Sequence, residues 1–120
     1  RPRRPERLDA EPARLSGPAL MRPIHAVRLD KVRPALVLTR AEVRQARTSV
    51  TIAAITSTRR GLSVELPVGP ANGLDHESVV NLDTIYTISV DDLGPQIGTL
   101  REDQEPALAA AVFHAFGLEW

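Results

Sequence analysis

The stretch "VTIAAITSTRRG", Val50 to Gly61, decides how this chain folds. Its first part is rich in β-branched and small apolar residues, so Val50–Thr58 reads as the strongest strand of the sequence. That strand ends in Thr56, Ser57 and Thr58, runs into Arg59 and Arg60, and stops at Gly61. A core strand that closes on hydroxyls and guanidinium groups puts polar chemistry at the tip of a rigid scaffold, where binding and catalytic groups concentrate.

On either side the same kind of short element repeats between turn signals. "LSVELPV" (62–68) alternates after Gly61 and is expected to form a hairpin with the strand before it. "PALVLT" (34–39) is nearly all apolar and starts with Pro, a tolerated strand position. "IHAVRL" (24–29), "SVVNLDTIYTI" (78–88) and "QIGTL" (96–100) complete the strands, and "GPANGLDHE" (69–77) is loop by its Gly, Pro and Asn content. "AEVRQARTS" (41–49) is rich in helix formers and suits a turn or two. One helix stands out, Gln104 to Phe116, with Asp103 as N-cap, Pro106 in its first turn and Gly117 as its stop. Its apolar face comprises Leu108, Val112, Ala115 and Phe116. The expected class is mainly β with helices (α+β): a small, mostly antiparallel β-barrel carrying a C-terminal helix.

Composition bounds the rest. The 120 residues suit one domain large enough to hold a core. With no cysteine there is neither a disulfide framework nor a thiolate metal site. The net charge is zero, 15 basic against 15 acidic residues, so nothing global advertises a nucleic acid or a membrane. No apolar run approaches the roughly 18 residues of a membrane span, and the chain reads as soluble and cytoplasmic. Residues 1–20 hold four of the ten prolines and five arginines and read as a flexible Pro/Arg-rich arm, an upstream extension or non-native sequence. The globular domain is then 21–120.

Basic groups cluster locally despite the neutral balance. "VRPALVLT" sets Arg33 against one core strand, and "AITSTRRG" sets Thr56 at the end of another. A guanidinium offers a planar fork of donors and a threonine one short directional donor, and together they suit a phosphate. Taken alone, Arg33 reads as a surface ion pair at a strand entry and Thr56 as an ordinary strand residue. Arg40, Arg44 and Arg47 would share one helix face, either a track for nucleic acid or a solvated surface. His25, His76 and His114 are spread over a strand, a loop and a helix and read as surface or packing residues.

The motifs "RPALVLT" (33–39), "ITSTRRG" (55–61), "SVVNLDTIYTI" (78–88) and "IGTL" (97–100), in this order and spacing, resemble the MazF/PemK toxins of bacterial toxin–antitoxin systems. The resemblance spans residues 21–120 and implies an SH3-like/CcdB-like antiparallel β-barrel with a C-terminal helix. It implies a homodimeric ribonuclease that cuts single-stranded RNA (messenger, transfer or ribosomal) without a metal or other cofactor and is restrained by a cognate antitoxin. It implies cleavage by attack of the RNA's 2′-hydroxyl, leaving a 2′,3′-cyclic phosphate and a 5′-hydroxyl. Arg33 and Thr56 match the family's catalytic pair, which implies Arg33 as proton donor or phosphate clamp and Thr56 as the group that stabilises the charge of the transition state. Pro34, Ser57, Thr58, Arg60 and Asp83 are the expected RNA-binding residues, with Arg59 on the other face of the pleat.

The chain also departs from the pattern. It has Pro23-Ile24-His25-Ala26 where many members have Gly-acid-Ile-Trp, only "DKV" before Arg33, and Thr84 where an amide is common. An alternative from another class is a barrel of this type that grips a protein such as a topoisomerase through the terminal helix and Trp120, without cutting RNA.

Overall fold

The computed structural model describes residues 21–40 and 47–118. The arm at 1–20, the body of the short helix expected at 41–49 with Arg44, and Trp120 lie outside the described residues.

Six strands form one antiparallel sheet in the order β4-β5-β3-β2-β1-β6. They are β1 (Pro23–Arg28), β2 (Val32–Val37), β3 (Ser49–Thr56), β4 (Glu65–Val68), β5 (Ser78–Ser89) and β6 (Leu93–Thr99). Among the described residues one α-helix, α1 (Glu105–Phe116), follows. It is neither long nor apolar enough to cross a membrane, and no other described helix is.

The central strands are apolar on both faces because both faces are covered. Leu36, Ala53 and Ile55 point into one cluster with Ile24, Leu82 and Leu108, while Ala35, Val37, Val50 and Ile52 point into a second with Val27. This two-sided burial is why "PALV" and "TIAAI" read as near-continuous apolar runs rather than strict alternation.

The hairpin expected between 50–58 and 62–68 does not form. β3 pairs with β2 and β5, and β4 pairs only with β5. The twelve-residue β5 is long enough to serve both neighbours. Meanwhile the segment after β3 folds on itself: one carboxylate oxygen of Glu65 accepts the backbone N–H groups of Arg60 at 3.1 Å, Gly61 at 2.9 Å and Leu62 at 3.3 Å. A local carboxylate thus takes the donors that a hairpin ladder would have used.

The strands make an open order with β4 and β6 at its edges, and those edges are brought together without a seventh strand pairing. The turn at Pro70–Asn72, just after β4, leans on β6. The Asn72 side chain, buried, donates to the Thr99 carbonyl at 3.0 Å and to Gln104 Oε1 at 2.7 Å, and accepts from Gly69 N–H at 3.1 Å. The barrel-like curl is held at this seam by side-chain hydrogen bonds.

The helix begins differently from its sequence reading. Glu102–Gln104 form a 3₁₀ turn, the residue before α1 is Gln104, and the Asp103 carboxylate instead accepts from Arg101 Nε at 3.1 Å. Its first turn is fixed by Arg22, whose Nε donates to Glu105 Oε2 at 2.8 Å and whose Nη1 donates to the Leu38 carbonyl. Leu108 and Ala111 are buried and Val112 and Ala115 half-buried, but Phe116, expected on the apolar face, is 60% exposed. Gly117 at φ +67° ends it.

Candidate active site

Antiparallel pairing of β2 with β3 sets Ala35 opposite Ala54 and Leu36 opposite Ala53. Carried two residues further, that register faces Arg33 with Thr56, and residues directly opposite one another project from the same face of the sheet. Both side chains line two adjoining cavities, of roughly 430 Å³ and 520 Å³. Arg33, Ile55 and Thr56 form the partition between them.

Each member of the pair is held by a partner of its own. The three-residue turn between β1 and β2 presents Asp30, which accepts from Arg33 Nε at 2.9 Å and Nη2 at 3.1 Å. A bidentate carboxylate takes two of the five guanidinium N–H groups and leaves three for a ligand. Hydrogen bonding from Arg33 lowers the Asp30 carboxyl from its ordinary 3.8 to about 2, and the same contact raises Arg33, with a smaller contribution from Tyr86. Because the folded value lies below the unfolded one, the pair is complete above about pH 4 and is lost only as pH falls through about 2. A carbon-detected NMR titration should therefore find the Asp30 midpoint near 2, returning toward 3.8 in Arg33→Ala.

Thr56 is set by the chain that follows it. Thr58 N–H donates to Thr56 Oγ1 at 3.1 Å, which occupies a lone pair and leaves the hydroxyl proton available to an acceptor. The site thus offers a fixed cation and a fixed neutral donor on one wall, arranged for a tetrahedral anion.

The first cavity also takes in Pro34 and Ser57 from the sequence-predicted set, together with Lys31, Asp75 and His76. The second is walled by Asn81, Thr84 and Tyr86 of β5. Thr58, Arg60 and Asp83 line neither cavity. Thr58 acts through its backbone on Thr56, Arg60 is held by its backbone to Glu65, and Asp83 is exposed with its N–H bonded to Asn81 Oδ1 at 2.9 Å.

Residues missed by the sequence reading have a common origin. The β3–β5 register jumps between Ala53, opposite Ile85, and Ile55, opposite Val80, so β5 bulges over 81–84 and turns Asn81 and Thr84 toward the partition. Nothing in "VVNLDTIY" marks that slip. Asp30 was findable: an acid three residues before an Arg across a tight turn is a ready-made ion pair.

The family model described as "PemK-like, MazF-like toxin of type II toxin-antitoxin system" matches residues 21–116. The chain is 57% identical over 100 residues to a protein of Mycobacterium tuberculosis named "Endoribonuclease MazF3", covering 83% of this chain and 97% of that one. Among solved structures it is similar to "Mycobacterium tuberculosis toxin MazF-mt6", at 56% identity and TM-score 0.81, over 82% of this chain and 100% of that one. It is also similar to "Endoribonuclease in complex with its cognate antitoxin from Mycobacterial species", at 25% identity and TM-score 0.73, over 82% of this chain and 94% of that one.

Proposed function

The chain belongs to the PemK-like, MazF-like toxin family of type II toxin–antitoxin systems, and from that premise we propose that it is an endoribonuclease whose cleavage centre is the Arg33/Thr56 partition. The observation that carries this reading is the double preorganisation just described: two facing side chains, each fixed by a separate partner, on the common wall of two cavities. Fixed donors aimed at developing charge are the largest single source of rate in many active sites.

A single-stranded RNA laid across the partition sets its scissile phosphate against Arg33 and Thr56 and one flanking nucleotide in each cavity. The three guanidinium N–H groups not used by Asp30 and the Thr56 hydroxyl bind the non-bridging oxygens, where charge accumulates as the 2′-oxygen attacks phosphorus. Tyr86, 44% exposed at the second cavity, offers a face for a base to stack on, and Asn81 and Thr84 offer polar groups to its edge. Pro34 and Ser57 shape the first cavity. The products are a 2′,3′-cyclic phosphate and a 5′-hydroxyl.

The relative named an endoribonuclease, at 57% identity, favours RNA cutting over a grip on a protein target. The mycobacterial relative held by its cognate antitoxin supports the same kind of partner here, an antitoxin lying over this site. We assign the working form to a homodimer acting in the cytoplasm.

The direct test is a long transcript incubated with the pure protein in EDTA. Fragments should appear whose 5′-hydroxyl ends accept phosphate from polynucleotide kinase without prior dephosphorylation and whose 3′ ends carry the cyclic phosphate by mass spectrometry. Cutting that appears only with added Mg²⁺, or that leaves 5′-phosphates, overturns the mechanism.

A further inference from the structure

Attack by a 2′-hydroxyl moves two protons. One leaves the nucleophile, and one must reach the 5′-oxygen as its bond to phosphorus breaks. The groups assigned so far do not supply the second. Arg33 is pushed above its already high value by Asp30, and the Asp30 carboxyl is ionised down to about pH 2. The hydroxyls of Thr56 and Ser57 bind and orient but do not titrate near neutrality. A donor matched to neutral pH is missing, and such a donor contributes roughly 10²- to 10⁴-fold.

The first cavity contains an imidazole. His76 lines it together with Lys31, Arg33, Thr56 and Ser57. Its ring is exposed and makes no hydrogen bond with the described residues, in contrast to His25, whose Nδ1 lies 2.8 Å from the Gly94 carbonyl. His25 and His114 line neither cavity.

His76 is also placed, not loose. Ser78 Oγ donates to the His76 carbonyl at 3.2 Å, and Ser78 itself is buried at the start of β5, paired with Val68. On the other side Gly73, at φ +94°, sits so close to β6 that a Cβ there would lie 2.3 Å from the Ile97 carbonyl oxygen. The loop between these two anchors holds Leu74, Asp75 and His76 in the lining of the cavity.

We propose that His76 is a catalytic acid of this reaction, delivering a proton to the departing 5′-oxygen while Arg33 and Thr56 hold the phosphoryl oxygens. The O2′–P bond forms and the P–O5′ bond breaks. The electron pair of the broken bond takes the imidazolium proton, the 2′-hydroxyl proton passes to water, and the neutral imidazole is reprotonated by solvent. The inference rests on the ribonuclease reading above.

The other charged groups at this cavity are Lys31 and Arg33 from the β1–β2 turn and β2, and Asp75 on the same loop as His76. The end of β3 and the residue after it bring the Thr56 and Ser57 hydroxyls, β5 brings Ser78 and β6 Ile97. Among these residue types imidazole is the one that ordinarily changes charge between pH 5 and 8.

The test uses the full chain in single-turnover cleavage of a short RNA and of the same RNA with sulfur in place of the 5′-bridging oxygen at the cut. A thiolate leaves without being protonated. His76→Ala and His76→Gln should slow cleavage of the oxygen substrate about 10²-fold or more, with RNA affinity unchanged within about threefold. Both variants should lose the alkaline fall of the rate profile and should cut the sulfur substrate within about threefold of the unmodified chain. Equal loss on both substrates makes His76 a phosphate contact and overturns the proposal, as does an unimpaired rate on the oxygen substrate. Should the unmodified chain cut neither RNA, the ribonuclease reading itself fails and this proposal with it.

Discussion

Arg33→Ala is expected to lower RNA cleavage by about 10³-fold or more while the melting temperature stays within about 2 °C of the unmodified chain. The asymmetry follows from where the side chain stands. Its side chain is one third exposed and its described hydrogen-bond partner is Asp30, itself 71% exposed at the side chain. Exposed ion pairs of this kind contribute little to folding. The cleavage transition state, in contrast, loses a cation with three available donors and gains an unpaired Asp30 carboxylate beside the phosphate. Both changes act in the same direction. Arg33→Lys keeps the charge but not the fork that locks onto Asp30, so it should recover only a small part of the rate. Circular dichroism melts and single-turnover assays on the same preparations check both halves. An Ala variant that cuts RNA within about tenfold of the unmodified chain removes Arg33 from the centre of the mechanism.

How far the site could be read from the sequence depended on how local each relationship was. Arg33 and Thr56 stand at the ends of strands that the apolar pattern marks plainly, and chemistry at strand ends is visible as an abrupt switch from Val and Ile to hydroxyls and guanidinium groups. The pairing of 62–68 was not visible, because adjacency in sequence favours a hairpin and only the length of β5, with Glu65 occupying the turn's donors, sends β4 elsewhere. Asn81 and Thr84 reach the second cavity through a slip in register, a non-local event with no residue of its own to announce it. His76 looked like a loop histidine because its relation to Arg33 is made by the curl of the sheet. The helix N-cap failed for a simpler reason: Asp103 found Arg101 before it found the backbone.

That curl gives the second large expectation, in Gly98→Ala. A Cβ at position 98 would lie 1.7 Å from the Asn72 carbonyl oxygen, with the Asn72 carbonyl carbon at 2.8 Å and Gly73 Cα at 3.1 Å. All three atoms are backbone, so no rotamer relieves the contact. The turn at Pro70–Asn72 must back away from β6, and the bonds of the Asn72 amide to Thr99, Gln104 and Gly69 go with it. Asn72 is only 3% exposed, so its polar atoms would be left without partners inside the protein. Overpacking of about 1–3 kcal/mol, with a similar amount for the unsatisfied amide, predicts a loss of about 2–6 kcal/mol and a melting temperature lower by about 8 °C or more. Gly61→Ala is the matched control: φ is +73° there but nothing lies within 4 Å of the added Cβ, so only backbone strain of about 1 kcal/mol applies. Thermal and urea melts of the two variants should separate clearly. Because the displaced turn leads directly into the loop that carries Leu74, Asp75 and His76, the folded fraction of Gly98→Ala should also cleave RNA more slowly than Gly61→Ala. A Gly98→Ala protein that melts with the Gly61→Ala variant would show that the edges of the sheet are not held at this seam.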